Sequence, residues 1–164
     1  MNCTCQEFET HYPDCTSCSD RKIITAQENG RKYIFNNLSQ RRVCKVRVDD
    51  CVITSQEQCK CDYLFIVCNP EQVEEEKLQS LEQLYFVELK GKDLIHAVEQ
   101  LTQTIDHFKP PLNHAQVFGR VVLSKSPSVK SIENDAKVVR LKKLLRKYQG
   151  NLEYSSRQYE KDFI

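Results

Sequence analysis

The sequence predicts an α/β domain organised around a mixed central sheet. Three observations carry that expectation. Two nearly continuous apolar runs, CDYLFIVC (61–68) and LYFVEL (84–89), have the composition of strands covered on both faces. The segment 93–108 places Leu94, Ala97, Val98, Leu101, Ile105 and Phe108 at helical spacing. A further apolar stretch within 116–126 follows that helix, and a strand–helix–strand unit of this kind makes a parallel crossover.

The elements follow in order. Residues 1–20 are rich in Cys, Thr, Ser and Asp and read as irregular. RKYIFNN (31–37) is a short strand. RRVCKVRVDDCVI (41–53) alternates, with Cys44, Val46 and Val48 on one face and Lys45, Arg47 and Asp49 on the other, as in a half-buried strand. TSQEQCK (54–60) is a connecting turn before the strand 61–68. The acidic stretch 69–83 reads as a short helix or an exposed loop, most simply a solvated one. The strand 84–90 is stopped by Gly91 and should lie beside 61–68. Helix 93–108 has Asp93 as its N-cap and a Lys-Pro-Pro stop. Residues 131–149 form a second helix, with Glu133 and Asp135 in its first turn, basic residues near its end and Gly150 just past it. NLEYSSRQY (151–159) adds a last short strand.

A chain of 164 residues suffices for one domain with a real core. With 40% hydrophobic and 29% charged residues it is not a disordered chain, and no apolar run approaches a membrane span. Its first ten residues lack a basic region followed by an apolar one, which predicts a cytoplasmic protein. The net charge of +1 argues for no particular partner, but 137–149 concentrates Lys137, Arg140, Lys142, Lys143, Arg146 and Lys147.

Nine cysteines, an odd number without a secretion signal, argue against a disulfide framework. Cys44, Cys51 and Cys68 fall in strand-like runs and read as core thiols. Cys3, Cys5, Cys15 and Cys18 have the spacing of a four-thiolate zinc site, with His11 as a substitute ligand. The competing reading is a frayed tail with free thiols. On either reading residues 1–20 form a Cys-rich tail and 21–164 the domain.

Chemistry concentrates where strand 84–90 ends. Glu88 and Lys90 are two residues apart, so they point to the same side. Asp62 opens the neighbouring strand. Two carboxylates and an ammonium then share the mouth of the sheet. Paired carboxylates bind a hard cation such as Mg²⁺ or Mn²⁺, and such a metal with a nearby lysine suits hydrolysis of a phosphodiester. The plainer alternative is a surface ion pair at a strand end; Asp62, with the helix that follows, favours the site.

Asp62, the Glu88-Leu89-Lys90 triplet at a strand end and a following helix bearing Gln100 resemble the PD-(D/E)XK nuclease superfamily, over roughly residues 43–125. The resemblance implies a restriction-endonuclease-like fold, a mixed sheet flanked by helices. It implies that Asp62 and Glu88 bind the metal, with the Leu89 carbonyl as a third ligand, and that Lys90 is the catalytic lysine. Gln100 matches a helix glutamine of some branches, and His96 lies one turn earlier. Cys61 stands where the motif has proline. Glu28 is the candidate for the acidic residue that many members carry on an N-terminal helix, and Asp49 and Asp50 are rival acids. The implied function is Mg²⁺-dependent cleavage of DNA by an enzyme that often acts as a homodimer, with no membrane partner. Lys143, Arg146 and Lys147 would then touch backbone phosphate; otherwise they face water. The alternatives are an inactive nucleic-acid- or protein-binding module of the same fold, or a zinc-stabilised adaptor.

Overall fold

The computed structural model describes residues 3–68, 82–89, 93–127 and 132–164. The helices are α1 (Cys5–His11), α2 (Leu94–Phe108) and α3 (Ala136–Lys147). The strands are β1 (Thr16–Ser19), β2 (Ile23–Glu28), β3 (Arg31–Asn36), β4 (Val43–Arg47), β5 (Tyr63–Val67), β6 (Glu82–Leu89), β7 (Ala115–Leu123), β8 (Leu152–Ser156) and β9 (Gln158–Phe163). Six strands form one sheet in the order β1-β4-β5-β6-β7-β8, and three form a second, β2-β3-β9.

The large sheet is mixed. β1, β4, β5 and β6 pair antiparallel in turn, whereas β6-β7 and β7-β8 are parallel. The parallel pair β6-β7 is joined through α2, as the strand–helix–strand pattern predicts. The two apolar runs are adjacent central strands, with Tyr63 opposite Val87 and Val67 opposite Gln83. Alternation sorts their side chains. Leu64, Ile66, Leu84 and Phe86 pack with the helices, while Phe65, Val67, Tyr85 and Val87 pack against the small sheet.

Helices therefore cover one face of the large sheet and a second sheet covers the other. This differs from the expectation of helices as the flanking layers. The reason is visible in β2 and β3. Ile24, Ala26, Tyr33 and Phe35 present an apolar stripe that fills the second core with Phe65, Tyr85 and Tyr159. β4 is consequently more covered than its alternation suggested: Val43 is fully buried on the second face, and the Lys45 ammonium donates to the Thr25 carbonyl at 3.0 Å.

α2 spans the expected residues. Asp93 caps it by accepting from the His96 N–H at 3.1 Å, and all six periodic apolar residues are buried. α3 is shorter than the expected 131–149. Asp135 is its N-cap, accepting from the Lys137 N–H at 2.8 Å, instead of lying in its first turn. Among the described residues no helix is long and apolar enough to cross a membrane.

Residues 3–19 are part of the fold, not an irregular tail. Thr4 caps α1, and Phe8 is fully buried, edge-on to Phe108 with ring centroids 5.7 Å apart. β1 extends the large sheet beside β4. Three disulfides, Cys5–Cys68, Cys15–Cys51 and Cys18–Cys44, tie this segment down. The expected core thiols Cys44, Cys51 and Cys68 are thus the partners of the N-terminal cysteines. The expectation of no disulfides failed because sequence spacing does not show that β1 and α1 fold back over β4 and β5. The acidic stretch expected at 69–83 lies outside the described residues except for Glu82 and Gln83, which belong to β6.

Candidate functional site

The site is built where β5 begins and β6 ends. The antiparallel register that sets Tyr63 opposite Val87 brings Asp62 opposite Glu88, one step further toward the mouth. The two residues exchange hydrogen bonds across the strands. The Asp62 N–H donates to Glu88 Oε2 at 3.1 Å, and the Leu89 N–H donates to Asp62 Oδ2 at 2.7 Å. Both carboxylates are deeply placed, 9% and 2% exposed. Burial of this kind is rare for carboxylates without a specific reason.

α2 holds the segment that leads into Asp62. Gln100 donates its Nε2 to the Lys60 carbonyl at 2.9 Å, and one turn on the Thr104 hydroxyl accepts the Cys61 N–H at 2.8 Å. Gln100 Oε1 is buried and accepts no hydrogen bond. An unsatisfied buried acceptor costs roughly 1–3 kcal/mol, so a ligand or water that donates there is favoured. The Asp62 carbonyl is fixed in turn by the Val48 N–H at 2.9 Å.

Cys61 is fully buried between these groups. Burial, and next the Glu88 charge, push its thiol well above the usual range. Its Sγ donates to the Tyr63 carbonyl at 3.5 Å.

The β2–β3 hairpin leans over the other side of the same mouth. Its Asn29-Gly30 turn has φ values of 46° and 77°, the left-handed pair of a type I′ turn. Arg31, just past the turn, donates its Nε to the Leu89 carbonyl at 3.1 Å. Glu28, just before it, accepts from the Tyr63 hydroxyl at 3.4 Å. Glu28 is therefore a strand-end residue, not a helical acid, and it touches Tyr63 next to Asp62. Arg31 was not anticipated as a site residue. The Asn-Gly turn in ENGR was the signal that a hairpin ends there. The exposed Arg47 closes β4 opposite Tyr63, on the same edge of the mouth.

Other candidates are placed elsewhere. Lys90 lies outside the described residues. Asp50 is exposed and accepts from Gln56 Nε2 at 2.8 Å, so it belongs to the 48–56 loop. Asp49 lies 3.6 Å from the Lys60 ammonium, which is only 7% exposed and also donates to the Ser55 carbonyl. His96 is half-buried near the start of α2.

The four-thiolate set of Cys3, Cys5, Cys15 and Cys18 is not assembled. Cys5, Cys15 and Cys18 are each taken by a different disulfide. Cys3 is fully buried alone, its thiol pushed up to about 12, chiefly by burial. Cysteines do come together to a metal-binding spacing, but as Cys5, Cys44 and Cys68.

Lys143, Arg146 and Lys147 are exposed, and among the described residues they make no ion pair, unlike Lys137 with Glu99 at 2.9 Å and Arg140 with Asp106 at 3.6 Å. They are far from the acids. The end of α3 meets the start of β7, where Gln116 donates to the Gln149 carbonyl, whereas Glu88 pairs with Val121. Five strand residues separate those levels, about 17 Å at the usual rise.

Comparison with family models, curated proteins and solved structures returns no match.

Proposed function

We propose that the protein is a metal-dependent nuclease of the PD-(D/E)XK type, hydrolysing phosphodiester bonds in DNA, with β4–β7 and α2 as a restriction-endonuclease-like core. The observation that carries this reading is the meeting of Asp62 and Glu88, 26 residues apart in sequence, as buried carboxylates cross-linked through main-chain N–H groups at one strand mouth. The β5-β6-α2-β7 order and the placement of Gln100 beside the segment leading to Asp62 support it.

The donor set fits a hard divalent ion. It consists of two buried carboxylates, Asp62 and Glu88. Asp62 and Glu88 would hold Mg²⁺ or Mn²⁺. The ion would supply charge stabilisation at phosphate and a bound water of lowered pKa. The chain's own groups do the rest. The Leu89 N–H fixes the Asp62 carboxylate, and the Asp62 N–H fixes Glu88, so neither must reorganise during reaction. The Leu89 carbonyl, which already accepts from Arg31 Nε, would be left one lone pair to offer the ion. Lys90, two residues beyond Glu88, stabilises charge developing on the scissile phosphate. Arg31 and Arg47 sit where a phosphate backbone would enter. Lys143, Arg146 and Lys147 reach only nucleic acid that extends well past the mouth.

The deciding experiment incubates the full chain with duplex DNA, single-stranded DNA and RNA, with Mg²⁺, Mn²⁺ or chelator, beside Lys90→Ala. Metal-dependent cleavage by wild type, lowered about a hundred- to a thousand-fold in the variant, supports the reading. Equal cleavage by both refutes the role of Lys90. Binding of nucleic acid without cleavage replaces the enzyme with an inactive binding module of the same fold.

A further inference from the structure

Three sulfurs meet where α1 joins the edge of the large sheet, a fourth adjoins one of them, and each comes from a different part of the chain. Cys5 lies in α1, Cys18 in β1, Cys44 in β4, and Cys68 just past β5. They are joined as the disulfides Cys5–Cys68 and Cys18–Cys44. The two disulfides are in contact, with Cys44 Sγ 3.6 Å from Cys68 Sγ. Cys5, Cys44 and Cys68 have mutual Sγ distances within 4.8 Å, and Cys18 lies within that distance of Cys44. Among the described residues the third disulfide, Cys15–Cys51, belongs to no such group.

Disulfide pairing alone gives no reason for two bridges to converge. A tetrahedral tetrathiolate site does. Zinc–sulfur bonds of about 2.3 Å put ligand sulfurs about 3.8 Å apart, close to the Cys44–Cys68 separation. The two bonded pairs reach the same spacing by side-chain rotation once they are reduced. Such a site carries two net negative charges, and the surroundings suit it. Arg41 donates its Nη2 to the Cys68 carbonyl at 2.8 Å, and its buried Nε–H has no acceptor. Against it stands the Glu9 carboxylate, within 4.8 Å of both Cys18 and Cys44, a like charge that its pairing with Arg42 offsets.

We propose that Cys5, Cys18, Cys44 and Cys68 form a structural zinc site in the reduced protein, of which the two touching disulfides are the oxidised, metal-free form. The exchange balances with a small thiol as reductant. Four reductant thiols give up four electrons and four protons and become two disulfides, while the two protein disulfides become four thiols. Binding of Zn²⁺ by the four thiolates then releases four protons. The site is closed, with four protein ligands and no open position, so its role is to hold α1 and β1 on the sheet and not to catalyse. It is independent of the nuclease reading.

The test is metal analysis of the full chain purified under reducing, anaerobic conditions without added metal. One zinc per chain is expected, falling below about a tenth of that in Cys68→Ser and in Cys5→Ser. Cys3→Ser and Cys15→Ser should keep it. To separate ligand loss from unfolding of a variant, the reduced metal-free wild type is also titrated with Co²⁺. Thiolate-to-cobalt charge-transfer absorption with tetrahedral d–d bands is expected, saturating at one equivalent. A small-molecule disulfide added to the zinc form should release the metal. No zinc and no cobalt bands in the reduced wild type overturn the proposal, as does zinc that survives Cys68→Ser or is lost equally in Cys15→Ser.

Discussion

Arg31 Nε donates to the Leu89 carbonyl at 3.1 Å, across 58 residues of sequence. That bond joins the tip of a hairpin in the small sheet to the end of a central strand of the large one. It places a fixed cation beside the strand end that carries Glu88. On the nuclease reading, Arg31→Ala removes both the positioning of the Leu89 backbone and a positive charge at the mouth. Cleavage should fall on the order of ten- to a hundred-fold. Arg31→Lys should recover charge without the Nε geometry, and so only part of the loss. Steady-state rates on one DNA substrate check this, and an Arg31→Ala enzyme with wild-type rates excludes any part for the hairpin in the site.

Asp62 and Glu88 separate structural from catalytic roles by choice of substitution. Asp62→Asn keeps an oxygen to accept the Leu89 N–H, whereas Asp62→Ala leaves that buried donor unsatisfied. The alanine variant should therefore lose roughly 1–3 kcal/mol of stability and the asparagine variant less. Glu88→Gln should behave like Asp62→Asn in urea unfolding. If the acids hold the metal, both amide variants lose cleavage by at least about a hundred-fold despite near-native stability. Amide variants that keep full activity would return the pair to a purely structural role.

The central strands and α2 with its Asp93 cap were legible because each rests on local pattern. Alternation and helical spacing do not depend on distant partners. What was missed depends on them or on signals passed over. Residues 1–20 looked irregular, yet Thr4 and Glu7 have capping-box spacing, and Thr4 Oγ1 accepts the Glu7 N–H at 3.2 Å. β2 went unread although Asn29-Gly30 announces its hairpin. The cysteine pairings were illegible because strand order, not spacing, decides which thiols meet. Gly150 lies just past α3 as expected, but it is Gln149 that holds the left-handed conformation, with φ 57°. Gly150 is required for a different reason: a Cβ there would stand 1.7 Å from the Val117 carbonyl oxygen.

Glu82, at the start of β6, is half-buried, and burial, with the Glu7 charge second, raises its carboxyl to about 7. A carboxyl raised in the folded state favours the protonated form. Between about 4.5 and 7 the unfolded chain gives up this proton first, so stability falls as pH rises through that window. Glu82→Gln should remove the loss. Its unfolding free energy should match wild type near pH 4 and exceed it near pH 8, by on the order of 1 kcal/mol once solvent screening is allowed for. Urea titrations at the two pH values check it, and an equal difference at both would show that the charge is not the cause.

Arg120 and Asp162 decide how firmly the two sheets are joined. Arg120 on β7 is 3% exposed and Asp162 on β9 is 8% exposed. They form a two-point pair, Nε to Oδ2 at 2.7 Å and Nη2 to Oδ1 at 2.9 Å. The Tyr33 hydroxyl adds a third bond to Oδ2 at 2.7 Å, and Nη1 donates to the Asn151 carbonyl and side chain. The guanidinium also lies within 6 Å of the Tyr85, Phe118 and Tyr159 rings. Every polar atom of this cluster is placed for its partner, so removing one charge strands the other in the core. Asp162→Ala should cost about 3–5 kcal/mol. Arg120→Met with Asp162→Leu should cost less than that single change, because an apolar pair leaves no buried charge behind. Urea unfolding of Arg120→Met, Asp162→Leu and their double, beside Asp162→Ala and all with the disulfides in the same state, gives the coupling. A cost under about 1 kcal/mol for Asp162→Ala would mean that water reaches Arg120 between the sheets, and that the apolar stripe of β2 and β3 holds them together without the pair.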